Sequence, residues 1–168
     1  MFNNILKISL LHIFLFVAIA LNAQILEPVK WNFSFEPVNE KEFDLIFKAE
    51  IDNNWHLYSQ DIPMSPPATN FNFEKGADYQ LVGKTIEESE VIEEYDPNFE
   101  MVLKFFAFEA VFKQRVKLLT DSPVKISGYL EFMCCDDTKC LPPTDVDFEF
   151  NLAPGGNTTA APAQGILD

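Results

Sequence analysis

Val124-Lys125-Ile126-Ser127-Gly128-Tyr129-Leu130-Glu131-Phe132-Met133-Cys134-Cys135 alternates apolar and polar side chains with a period of two. Successive side chains of a strand point to opposite faces. Val124, Ile126, Gly128, Leu130, Phe132 and Cys134 therefore share one face, and Lys125, Ser127, Tyr129, Glu131, Met133 and Cys135 share the other. The first set is the apolar one and is expected to face a core. Cys134 then reads as a small buried hydrophobe, a common fate of a free cysteine. Cys135 points away from that core at the strand end, where Asp136-Asp137-Thr138-Lys139 turns the chain back towards Cys140. Val146, Phe148, Phe150 and Leu152 supply the inward face of the returning strand.

The same alternation runs through the rest of the chain. Val29, Trp31, Phe33 and Phe35 alternate with polar residues, as do Phe43, Leu45, Phe47, Ala49 and Ile51. Further runs follow at 55–59, 71–73, 79–83, 101–108 and 111–119, separated by Pro, Asn, Asp and Gly. Period two over such lengths is the signature of half-buried strands. No segment carries a capped helical stripe, although the Glu-rich stretch 85–94 is a weak exception. Seven to nine such strands predict an all-β, immunoglobulin-like antiparallel β-sandwich. Most of the 17 phenylalanines are core material for it.

The ends read differently. Residues 1–23 have the form of a secretory signal peptide: Lys7 is the only charge, the apolar run Ile8 to Leu21 follows, and Ala23 precedes Gln24. Residues 24–152 make the domain, and 153–168, rich in Ala, Pro, Gly and Thr, read as a flexible linker or tail. The formal net charge of −14 disfavours binding to a phosphate backbone, so nucleic acid is not an expected partner. No Gly-rich phosphate loop or hydrolytic triad is evident. Zinc usually takes four Cys or His ligands, and His56 is the only histidine beyond the signal, so no metal site is expected. No small-molecule cofactor is expected either.

All three cysteines lie within Cys134-Cys135-Asp136-Asp137-Thr138-Lys139-Cys140, and Leu141-Pro142-Pro143 follows. Export would place these thiols where disulfides persist. A hairpin brings facing Cα atoms close enough for a bridge, and the facing argument favours Cys135–Cys140. A bulge at the strand end would reverse the facing and select Cys134–Cys140. Closing so small a ring removes little unfolded-chain entropy, which leaves the bond suited to redox work. Asp136 and Asp137 are expected to disfavour a thiolate, with Lys139 opposing them.

The segment Gly128 to Pro143 resembles the active-site hairpin of the N-terminal periplasmic domain of the thiol:disulfide interchange protein DsbD. Asn54-Trp55-His56-Leu57-Tyr58-Ser59 is similar to that family's aromatic strand, and Val111 to Val116 to the strand after its cap loop. The resemblance implies a disulfide in a hairpin under a movable loop. It implies Cys135 and Cys140 as the redox pair and Tyr58 as an aromatic beside it. The cap would fall in Glu93 to Phe99, with Tyr95 or Phe99 as the shielding ring and Glu93 or Asp96 tuning the thiols. Cys134 would be at most an alternative thiol. Relative to the enterobacterial form, the loop between the cysteines is one residue shorter and Cys134 has no counterpart.

The function so implied is periplasmic thiol-disulfide exchange. Thioredoxin-like periplasmic proteins are the implied partners and a DsbD-type membrane protein the electron donor. The chain would be membrane-attached only if it continued beyond residue 168. The competing reading is a non-catalytic immunoglobulin-like interaction module with a structural disulfide.

Overall fold

A computed structural model of the chain describes residues 26–63 and 65–155. The segment expected to be a signal peptide, 1–23, and most of the expected tail, 153–168, lie outside the described residues. Eleven strands and no helix are found among them: β1 (Val29–Pro37), β2 (Glu42–Ile51), β3 (His56–Tyr58), β4 (Asn70–Phe73), β5 (Tyr79–Glu87), β6 (Ile92–Asp96), β7 (Met101–Ala107), β8 (Glu109–Leu118), β9 (Val124–Phe132), β10 (Cys134–Cys135) and β11 (Thr144–Leu152). Every pairing is antiparallel. The sheets are β1-β2-β8-β5, β11-β9-β4 and β10-β3-β7-β6.

The first two sheets enclose the main core, which takes side chains from alternate positions as the pattern requires. Phe33 and Phe47 of the first sheet meet Phe148 and Phe150 of β11, with the Phe47 and Phe148 ring centroids 4.9 Å apart. Trp31 closes the same core against Phe71, Phe112 and Phe132. Each fully buried ring of this kind contributes roughly 1.5–3 kcal/mol of transfer free energy. Gly128 lies at the centre of β9 because a Cβ there would run into the Asn72 carbonyl and the Phe148 ring.

The chain changes sheets at Met133. β9 pairs with β11 up to Phe132, and β10 then pairs with β3 instead. Alternation survives the change: Phe132 and Cys134 belong to the main core, while Met133 and Cys135 belong to a second, smaller cluster with Tyr58 and Leu103. Two sequence expectations are corrected. Cys135 points away from the main core, as the alternation requires, but not to solvent: it is fully buried, in the small cluster with Tyr58 and Leu103. The Glu-rich stretch 85–94 is not helical but holds the end of β5 and most of β6. Both are edge strands, where charged side chains point to water and obscure the periodicity.

A candidate thiol–disulfide site

Cys135 and Cys140 are joined by a disulfide across the turn, with their Cα atoms 4.0 Å apart. The turn is built by Asp136. Its Oδ1 accepts the Thr138 and Lys139 backbone N–H groups and the Thr138 hydroxyl, at 2.8, 2.9 and 2.7 Å. The Asp136 N–H in turn donates to the Lys139 carbonyl. These bonds, with those from Thr138 leading, pull the Asp136 carboxyl below its ordinary range. A carboxylate expected to repel a thiolate is thus engaged mainly in shaping the loop. Lys139 lies over the Trp55 ring, 5.6 Å from its centroid.

The two bridged sulfurs differ in access. Cys135 is fully buried and Cys140 is half-buried. Cys134 is buried in the main core, its thiol is unbridged, and burial pushes its pKa up to about 12. A thiol held so far from ionisation is a poor nucleophile.

Strand β3 presents Leu57 to the main core and His56 and Tyr58 to the opposite face, two residues apart. The Tyr58 hydroxyl lies 3.1 Å from Cys135 Sγ and 2.6 Å from Asp96 Oδ2. His56 Nε2 lies 3.2 Å from that same carboxylate oxygen and 3.2 Å from the Tyr58 hydroxyl. Burial, reinforced by Asp96, pushes the Tyr58 phenol well above the ordinary tyrosine range. Burial also lowers His56, against the pull of Asp96, Asp137 and Asp136. Burial would raise Asp96, but bonds from Tyr58 and from the Asn98 and Phe99 backbones, with His56 nearby, outweigh it. The site therefore holds a carboxylate, a neutral imidazole and a neutral phenol. Asp96 selects the tautomer in which Nε2–H donates to it.

Residues Pro97 to Glu100 form a short loop between β6 and β7. Asp96 Oδ1 accepts the Asn98 and Phe99 backbone N–H groups, and Asn98 Nδ2 donates to the Asp136 carbonyl at 2.8 Å. Phe99 packs on the small cluster with Cys135 and Cys140, edge-on to Tyr58 at 5.8 Å between centroids. Tyr95, by contrast, is 61% exposed, and Glu93 is exposed on the same outer face of β6. The structure thus brings together Cys135, Cys140, Tyr58, Asp96 and Phe99, and leaves Tyr95 and Glu93 facing solvent. The sequence alone assigns no role at the site to His56 or to Asn98. The signal for His56 was available, because it shares the Tyr58 face of a strand by simple alternation.

This disulfide links residues that a tight turn already holds together, so it adds little bracing. With one sulfur against a phenol and the other near the surface, it has the build of a thiol–disulfide interchange domain. The family comparison agrees: residues 22–152 match the family described as thiol:disulfide interchange protein DsbD, N-terminal, and the chain belongs to that family. Two solved structures share the immunoglobulin-like fold. The reduced DsbD N-terminal domain of Neisseria meningitidis has a TM-score of 0.55 at 15% identity, over 86% of this chain and 99% of that one. The N-terminal periplasmic domain of ScsB from Proteus mirabilis has a TM-score of 0.56 at 13% identity, over 82% and 52%. No curated protein matches the chain.

Proposed function

We propose that this chain is an exported protein-disulfide reductase domain, released from a signal peptide at 1–23 and working in the periplasm. Residues 24–152 would form the working domain and 153–168 a flexible tail. It passes reducing equivalents through Cys135 and Cys140 to thioredoxin-like proteins and is recharged by a DsbD-type membrane electron donor. In the reduced domain the Cys140 thiolate attacks a partner disulfide, and one partner sulfur leaves with the electron pair. Cys135 then attacks Cys140 Sγ in the mixed disulfide. The Cys135–Cys140 bond forms and the second partner sulfur leaves reduced. Sulfur carries the electrons throughout, so no cofactor takes part.

The observation that carries this reading is the unequal burial of the two sulfurs under the Phe99 cap. It supports Cys140 as the sulfur a partner reaches and Cys135 as the one that resolves the mixed bond. Tyr58 and Asp96 tune Cys135, and Phe99 keeps small thiols out. The test is exchange between the reduced chain and an oxidised thioredoxin-like protein, with the redox midpoint measured in parallel. Exchange is expected in the wild type and lost in Cys135→Ala and Cys140→Ala, with the far-ultraviolet circular dichroism of each variant unchanged. No exchange, together with a midpoint below roughly −300 mV, would make the disulfide structural.

A further inference from the structure

His56 is the cross-strand neighbour of Cys135, and the Asp96 carboxylate couples it to the Tyr58 hydroxyl that touches Cys135 Sγ. On its other side His56 lines a pocket of about 330 Å³ with Trp55, Tyr95, Pro97, Phe105 and Phe108, and its side chain is 10% exposed. One imidazole therefore spans the gap between the buried sulfur's hydrogen-bond partners and solvent. We propose that His56 is a positioning residue that takes up a proton when the Cys135–Cys140 bond is broken and releases it when the bond re-forms. The inference deepens the exchange reading and rests on it.

Charge balance gives the reason. When a donor's thiolate attacks Cys140 Sγ, its electron pair makes the new sulfur–sulfur bond and the old bond's pair departs with Cys135 as a thiolate. The Tyr58 O–H has a single proton and turns it from Asp96 to the new anion. Two negative groups, Cys135 and Asp96, then share a site with little water, and Asp96 has lost its shortest donor. A proton from the pocket onto His56 compensates both, since an opposite charge within about 4–6 Å favours the charged form. The other groups near the imidazole point the same way or are neutral. Phe105 of β7 packs on its ring at 4.6 Å, Asp136 and Asp137 of the cysteine loop favour the imidazolium, and Glu94 and Tyr95 edge the pocket. Lys139, the cation of that loop, is placed over Trp55. On re-oxidation the thiolate is consumed, Tyr58 returns to Asp96, and His56 gives its proton back to the pocket.

The chain has two histidines, so a His12→Gln variant leaves His56 as its only imidazole. Its titration is followed by NMR in the oxidised chain and after reduction with a phosphine, which needs no protein partner. The imidazole midpoint is expected to lie at least about one pH unit higher in the reduced form. The exchange rate is expected to bend at that reduced-state midpoint, and the bend to vanish in His56→Gln. Equal imidazole midpoints in the two redox states would overturn the inference, as would an unaltered pH profile in His56→Gln. A chain that shows the redox-linked shift but exchanges with no thioredoxin-like protein would sink the exchange reading alone.

Discussion

The Asn98 side-chain amide donates to the Asp136 carbonyl across 2.8 Å, joining the Pro97 to Glu100 loop to the cysteine loop. A neutral hydrogen bond of this kind is worth about 0.5–1.5 kcal/mol net, so it can break when a partner docks. Asn98→Ala is expected to raise the rate of disulfide reduction by dithiothreitol by roughly 2- to 12-fold, the kinetic equivalent of that energy. Stopped-flow reduction in excess dithiothreitol reads it directly. A rate equal to wild type would show that the bond does not hold the cap shut.

Phe99 is the ring laid on the disulfide cluster, and Tyr95 points away from it. Phe99→Ala should expose both sulfurs to small thiols and speed their reduction by tenfold or more, on the order of 1.4 kcal/mol of lost shielding. Tyr95→Ala should leave that rate within twofold of wild type. The same assay separates the rings, and a larger effect at Tyr95 would relocate the shield. The two variants together also test whether Asn98 acts through the cap, since Asn98→Ala should add little on top of Phe99→Ala.

How far these features could be read without the structure depends on how local they are. The sandwich and the inward facing of Cys134 follow from period-two alternation, which persists through the sheet change at Met133. The choice between Tyr95 and Phe99 was harder. Within β6, Ile92, Glu94 and Asp96 share one face and Tyr95 the other, but the edge strand's charges masked the strand itself. What no local pattern reveals is the meeting of Tyr58 with Asp96 and with Cys135, separated by 38 and 77 residues. Alternation places His56 on the Tyr58 face, but its pairing with Asp96, 40 residues away, is equally non-local. Its partner arrives from another strand through a sheet pairing that neither segment encodes alone.

Cys134 is the thiol whose inertness can be checked most simply. It is buried among core residues and far from ionising at neutral pH. In the native, oxidised chain, iodoacetamide at pH 8 should leave it unmodified for hours, and labelling should appear only after denaturation. Cys134→Ala should leave exchange rates unchanged and cost about 1–2 kcal/mol in urea denaturation, as expected for a small core truncation. Rapid native alkylation, or slower exchange in the variant, would restore Cys134 as a participant.

The aromatic core and the Asp44–Arg115 pair differ in how they respond to pH. Phe47 is fully buried and packed among Phe33, Phe71, Phe73, Phe148 and Phe150, so Phe47→Ala should lose about 3–5 kcal/mol alike at pH 3 and pH 7. Asp44 and Arg115 behave differently. They face each other across β2 and β8 and form a paired bond, Nε to Oδ1 at 2.8 Å and a second nitrogen to Oδ2 at 2.9 Å. The hydrogen bonds from Arg115 hold the Asp44 carboxyl below its ordinary value of 3.8, against a smaller upward push from burial. A carboxyl whose folded value is depressed adds stability that is full above the unfolded value and fades as pH falls through the folded one. Asp44→Asn should therefore destabilise the domain by about 1 kcal/mol at pH 7, a modest figure because the Arg115 end is solvent-screened. The deficit should shrink as pH falls below 3.8 through the depressed folded value of Asp44. Urea denaturation across that range reads the slope, and a deficit that stays constant with pH would mean that the substitution disturbs packing rather than removing a charge pair.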